Sequence, residues 1–511
     1  MLLHSVFLNR TLIVRDFQAS SSLSASHERW PGGQSVLLLL SAMVLTAMAG
    51  GMAWGIRGQY GHEVGAMIFG ILVGFTLVMI FIPHASALRA ARAVALFTLA
   101  IGFGGSMSYG ETVGLTQDAG VHGNVADPHW NAGAFRWGML GLAVKGGLWI
   151  GFGGAFLGLG MGDKKYRPRE MLWIGLGMML LFVLGRWALN SPFDPDLKVL
   201  PTIYFSDHWQ WEPEENVNPR PEIWGGILFA FVGLMFYLIA VKRDRLAQNL
   251  AFWGSVGGLG FPIGQSLQSA HAWDSVAFRD SFFWQYGANS WNMMEVTFGT
   301  VAGFCLGLGV WLNRKRISQR EPADEVSLSI ASEIWLGGIY LYLLGMGWYF
   351  SDSIFIIFLY HGLLMGIIPM VAVTGGRYWP FLYIFPIVAM PIAVNTFLAL
   401  CRASEFVPKS IGLITVVTLP LLLLILVAQY FGKQSSKGIG ARPFTSIGLA
   451  LTSAVYFWLN FAFFSFPWHW WNDWKGWAGQ THSGAIYVIC WLTLTIAACV
   501  FSRKPRFNQE A

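Results

Sequence analysis

Lys145 and Glu295 are single charges set in long apolar stretches, and they are where chemistry is most to be expected in this sequence. A charged side chain at membrane depth costs about 3 kcal/mol or more unless it is paired, hydrated or turned to a polar interior. The two are linked by an internal echo. Gly104, Gly110, Trp130, Gly133, Ala134 and Trp137 return as Gly258, Gly264, Trp284, Gly287, Ala288 and Trp291, without a gap, at an offset of 154 residues. The offset places Glu295 at the equivalent of Gly141, four residues before Lys145 and so on the same helix face. An ion pair between Lys145 and Glu295 across a pseudo-axis is therefore expected. It would serve either as a charge-compensated solute or ion site or as a static pair holding two halves in register.

A second constellation comprises Arg57, His62, Glu63 and Glu111, carried by two similar glycine-rich motifs. Carboxylates beside an imidazole can relay protons or act as general acid and base. They can equally satisfy backbone groups at helix ends in interfacial water. Trp130, Trp137, Trp284 and Trp291 recur at fixed spacing near Gln265 and His271. Indole faces stack on sugar rings and cations, although tryptophan also gathers at membrane interfaces. The binding residues expected are thus Arg57, His62, Glu63, Glu111, Trp130, Trp137, Lys145, Gln265, His271, Trp284, Trp291 and Glu295. No HExxH, CxxC, Walker or GxSxG pattern occurs, so no metal and no cofactor is expected.

These residues must be positioned by membrane helices. Hydrophobic residues make up 55% of the 511 and charged residues only 12%, too few for an ordinary soluble protein. A bilayer asks for roughly 20 apolar residues per helix. Fourteen stretches come close: 35–56, 65–82, 93–110, 134–160, 171–189, 223–241, 250–267, 292–312, 334–350, 354–373, 378–401, 411–431, 444–466 and 484–501. Their continuity predicts helices rather than barrel strands. Pro262, beside glycines in the seventh, is expected to kink or interrupt it.

Loops on one side hold 23 of the 33 Lys and Arg, which predicts that side, with both termini, to be cytoplasmic. The net charge of +6 is mostly this basic rim and implies no nucleic-acid partner. The four cysteines lie in apolar segments and are read as buried hydrophobes. The first 34 residues have no apolar core of their own, so no cleavable signal is expected.

The expected architecture is an all-α polytopic membrane protein of about 14 helices, placed in a bacterial cytoplasmic membrane. A cytoplasmic arm (1–34) precedes a glycine-rich eight-helix domain (35–313), in which repeats 35–161 and 171–313 form a parallel 4+4 arrangement. A basic linker (314–333), a six-helix domain (334–502) and a tail (503–511) follow. The expected partners are the lipid bilayer and a small polar solute. Two functions from different classes fit. One is a secondary transporter of a small polar solute, carbohydrate-like or cationic, with its site among glycine-broken helices. The other is a membrane-embedded glycosyl or acyl transferase working at the extracytoplasmic face, with Glu63, Glu111, Asp127 or Asp274 as base.

Overall fold

A computed structural model describes residues 32–58, 60–61, 63–107, 109–117, 132–207, 219–273, 275–280, 290–318, 326–349, 357–403, 408–463 and 481–503. Among them helices dominate and no β-strand is present. The first part comprises α1 (Gly32–Arg57), α2 (Glu63–Phe81), α3 (Ala87–Gly104), α4 (Gly110–Gln117), α5 (Ala132–Met161), α6 (Pro168–Leu189), α7 (Trp224–Phe236), α8 (Arg245–Gly258), α9 (Gly260–Trp273) and α10 (Ser290–Leu312). Beyond it lie α11 (Ile330–Tyr349), α12 (Ile368–Gly375), α13 (Val388–Ala403), α14 (Leu419–Gln434), α15 (Ala441–Phe463) and α16 (Thr481–Ser502).

Eleven helices of the described residues are long and apolar enough to cross a membrane, as befits a polytopic membrane protein. The other three expected stretches are helical in different ways. Residues 250–267 fall on α8 and α9, two 14-residue helices interrupted at Leu259. Residues 354–373 fall mostly on a π-helical run, Ile357–Ile367, and on α12. Residues 444–466 fall mostly on α15.

Local sequence explains the boundaries. Ser86 caps α3 by accepting from the Arg89 N–H at 3.1 Å, and Asp244 caps α8 by accepting from the Ala247 N–H at 3.1 Å. Pro168 opens α6 where its missing N–H removes nothing from the helix ladder. The tight α1–α2 hairpin turns at Gly61, whose φ of +89° favours glycine. Three of the four π-helical runs among the described residues, Ile357–Ile367, Tyr383–Ile387 and Leu413–Thr418, each contain the residue four before a proline: Pro369, Pro391 and Pro420; the fourth, Tyr237–Val241, has no such proline. A proline ring crowds that carbonyl and donates no bond to it, so the ladder slips to wider spacing.

Burial divides the helices by role. The most apolar windows of α2 and α3 are each 94% buried, whereas that of residues 330–347 is 11% buried. A helix apolar on all sides must have either protein or lipid around it. The first two are central; the last presents its surface to lipid. The later helices pack directly on this centre, α15 and α13 against α2 and α12 against α3.

Most glycines of α1 and α5 do not break their helices; they let helices approach. Cβ atoms added to Gly146, Gly154 and Gly158 of α5 would overlap backbone of Gly258, Leu250 and Ala247 on α8. Gly299, Gly303 and Gly307 of α10 meet Gly50, Thr46 and Ala42 of α1 in the same way. Such small-residue seams are how apolar helices associate where no hydrophobic effect drives them together. Gly154→Val is accordingly expected to destabilise the protein by about 1–3 kcal/mol or more. A thermal melt of the purified variant unchanged from the parent would refute this close contact.

Candidate functional site

Two interrupted helices stop at the same level of α5. A Cβ on Gly104, the last residue of α3, would lie 3.1 Å from the Trp149 Cα, and one on Gly258, the last residue of α8, would overlap the Gly146 carbonyl. Trp149 and Gly146 are one turn apart on α5. The two helix ends are separated by the offset of the sequence echo, 258 less 104. The third expected stretch, 93–110, is thus shorter than a continuous helix: α3 ends at Gly104 and the chain restarts at Gly110 as α4.

Although only eight residues long, α4 is the hub of a buried polar network. Its Thr112 and Thr116, one turn apart, share a face. Thr112 Oγ1 accepts from Lys145 Nζ at 2.7 Å, while Thr116 Oγ1 accepts from Gln265 Nε2 at 2.8 Å and lies 3.1 Å from Ser269 Oγ, which donates to it. Glu111, on the opposite side, pairs with the exposed Arg220 at 2.9 Å. The Glu111 carbonyl accepts from the Asp207 N–H at 3.2 Å, which ties the long loop after α6 to the hub.

Lys145 does not meet Glu295. Its partner is Glu222, at 2.6 Å, and the two residues are 1% and 2% exposed. Glu222 also accepts from Ser206 Oγ and from the Phe205 N–H, each at 2.9 Å. This carboxylate is well satisfied, as a buried charge must be if it is not to destabilise the fold. Glu295 is held by Arg57, with 3.3 Å between Nη1 and Oε1. The expected Lys145–Glu295 pair assumed that α5 and α10 face one another. Instead, glycine seams lay α8 along α5 and α1 along α10, so each charge finds a different neighbour.

The Arg57 guanidinium, 2% exposed, also donates to the Tyr109 hydroxyl. It sits 5.0, 5.6 and 5.9 Å from the ring centres of Tyr109, Trp149 and Trp54, within cation–π range. Gly58 makes room for its partner, since a Cβ there would overlap the Glu295 carboxylate. One turn before Glu295, Asn292 donates to the Gly55 carbonyl at 3.0 Å and accepts from the Tyr487 hydroxyl at 2.7 Å. The C-terminal helix α16 therefore takes part in the site.

Buried amides complete the arrangement. Gln265 and Gln268, 0% and 1% exposed, lie one turn apart on α9. Oε1 of Gln265 and both amide atoms of Gln268 have no hydrogen-bond partner among the described residues. On the loop side, burial pushes the Tyr204 phenol well above its ordinary pKa. The Arg220 N–H donated to its oxygen opposes this, and the Glu222, Glu111 and Asp207 carboxylates add to the rise. Tyr204 thus stays a neutral donor, to the Arg220 carbonyl at 2.8 Å.

Of the residues expected from sequence, Arg57, Glu111, Lys145, Gln265 and Glu295 come together around α4 and the two helix breaks. Trp137 stands beside them in a supporting role, its Nε1 donating to the Tyr204 carbonyl at 2.7 Å and its ring 5.0 Å from Phe205. Trp291 is 45% exposed at the start of α10. Glu63 lies in the first turn of α2 and His271 in the last turn of α9, both half-buried. His62, Trp130, Trp284, Asp127 and Asp274 lie outside the described residues.

Glu222, Tyr109, Asn292, Tyr487 and Gln268 were not singled out from sequence. Only Glu222 carried a signal: it is the last acid of an acidic loop, two residues before α7. No known protein family matches the chain, and no curated protein or solved structure is significantly similar to it.

Proposed function

We propose that the protein is a secondary transporter of a small polar solute, carbohydrate-like or cationic, bound between the α3–α4 and α8–α9 interruptions. The reading rests chiefly on one observation: two helices broken at the same level of α5, with a buried ion pair beside each. Interrupted helices bring backbone carbonyls and N–H groups into an apolar interior, where transport sites are built. Buried amide atoms without partners among the described residues call for water or a polar solute. In this reading fourteen segments cross the membrane, both termini are cytoplasmic, and residues 35–161 and 171–313 descend from one four-helix unit.

The two ion pairs take different parts in the cycle. Glu222 has three donors and holds the loop after α6 in place. Glu295 has, among the described residues, a single, longer ion-pair contact. A solute ammonium or hydroxyl competes for Glu295, and Arg57 is retained meanwhile by its aromatic neighbours. Exchange of partners at Glu295 couples binding to the opening of one side.

Thiol labelling tests the cycle without knowledge of the solute. In a chain with Cys305, Cys401, Cys490 and Cys499 replaced, Gln268→Cys is expected to react with a membrane-impermeant maleimide from either face of oriented vesicles. Reaction from the outer face alone would sink the transporter and favour an outward-facing transferase.

A further inference from the structure

The glutamines of α9 belong to a seam built from uncharged groups. Gln265 and Ser269, one turn apart, both meet Thr116 of α4, at 2.8 and 3.1 Å, and lie 3.3 Å from each other. Gly264 turns the adjoining strip of α9 to α10, where an added Cβ would overlap the Met294 carbonyl. Gln268 comes one turn after both Gly264 and Gln265, and so falls between the strip that faces α4 and the strip that faces α10. Thr112, Thr116, Gln265, Gln268 and Ser269 are each 1% exposed or less. All five are amides or hydroxyls, which donate and accept hydrogen bonds without carrying charge.

The atoms left over in this seam specify what it can hold. Among the described residues Nε2 and Oε1 of Gln268 and Oε1 of Gln265 have no hydrogen-bond partner, and burial without partners is unfavourable for an amide. Turning the Gln268 amide over leaves the same demand, one donor group and one acceptor side by side. A cation answers only the carbonyl oxygens and is repelled by the amide hydrogens. An anion answers only Nε2. A carboxamide pairs with Gln268 in one plane and is spent there. A hydroxyl donates and accepts through one oxygen, and successive hydroxyls on one solute reach both glutamines, whose Cβ atoms at this helical spacing stand about 5–6 Å apart. We infer that the solute is uncharged and bears several hydroxyl groups, a polyol or sugar, and that Gln265 and Gln268 select it on the α4–α9 seam. The inference rests on the transport reading for what the site does and narrows its solute from the carbohydrate-like or cationic to the hydroxylated alone.

A ligand that binds only the folded state raises its melting temperature, so melting curves of the purified full-length protein in detergent test the class directly. The probes are sorbitol, myo-inositol and glucose, with choline, lactate and acetamide as the cationic, anionic and carboxamide counterparts, all at the same millimolar concentration. At least one of the first three is expected to raise the melting temperature and the last three to leave it unchanged. Gln268→Met keeps the length of the side chain and suits a helix equally. It should melt no lower than the parent without solute, because the amide it removes lacks partners, yet need about tenfold or more of the polyol for the same rise. That variant also separates binding from the general stabilisation that excluded polyols give any protein, which it would retain in full. Stabilisation by choline, lactate or acetamide instead, by none of the six, or by a polyol equally in Gln268→Met would overturn the inference. Uptake of the same probes into proteoliposomes keeps the two readings apart: a polyol bound but never carried would overturn transport and leave the class standing, whereas choline carried by the parent protein would overturn the class and leave transport standing.

Discussion

Lys145→Met is expected to cost about 3–5 kcal/mol of stability, because it leaves the Glu222 carboxylate buried without its countercharge. Ser206 and the Phe205 N–H would remain on Glu222, yet neither carries charge. The loss should reach the loop after α6, since Glu222 binds residues 205 and 206 to α5 and Tyr204 joins the same loop through Arg220. Pairing Lys145→Met with Glu222→Gln removes both charges and should recover most of the stability, as replacement of a whole buried pair is often nearly neutral. Equilibrium unfolding in detergent, run as a double-mutant cycle, measures the coupling. Additive losses with no recovery in the double variant would show that the pair does not hold this region together.

Glu295→Gln should behave in the opposite way, sparing the fold and stopping transport. The amide keeps the shape of the carboxylate beside Gly58 and can still accept from Arg57, which retains Tyr109 and its aromatic surroundings. What disappears is the charge over which, in the proposed transport cycle, Arg57 and the solute compete. In proteoliposomes offered a panel of labelled polar solutes, the substrate taken up by the parent protein is expected to be taken up at least tenfold more slowly by Glu295→Gln, with an unchanged melting curve. Arg57→Lys should also fail, because an ammonium lacks the flat, delocalised cation that lies among the Tyr109, Trp149 and Trp54 rings. Uptake that survives Glu295→Gln at the parental rate would remove Glu295 from the transport site and leave the pair a structural one.

The contrast between the two pairs follows from what surrounds each carboxylate. Glu222 comes from a loop folded back on itself, where backbone N–H groups and hydroxyls are available as further donors. Glu295 comes from the flank of a helix whose own N–H groups are committed to the ladder, so its countercharge has to arrive from another helix. A buried carboxylate with several donors resists rearrangement, whereas one with a single longer contact can exchange partners at smaller cost.

Much of the architecture was legible in the sequence, because the cost of burying polar backbone and charge is local. Long apolar runs had to be helices, and most of the fourteen stretches coincide with single long ones. Lys145 and Glu295 had to find countercharges, since none is carried on their own helix faces. Glycine and Pro262 beside residue 258 announced an interruption, and α8 ends there. The equivalent at Gly104 was visible only as an echo of spacing.

Which charge meets which was decided by tertiary structure alone. An ion pair depends on which helices lie side by side, and that is set by seams of glycine on α1, α5, α8 and α10. From sequence these glycines allow either close backbone approach or a break in the helix, and most act as flat faces for close approach. A sequence echo can relate α5 to α10 but does not say that they touch, so Lys145 and Glu295 seemed matched when each had a nearer partner. Tyr109, Asn292 and Tyr487 were silent for the same reason: a lone polar residue in or beside an apolar run becomes informative only once its neighbours across 52, 237 and 195 residues are in place.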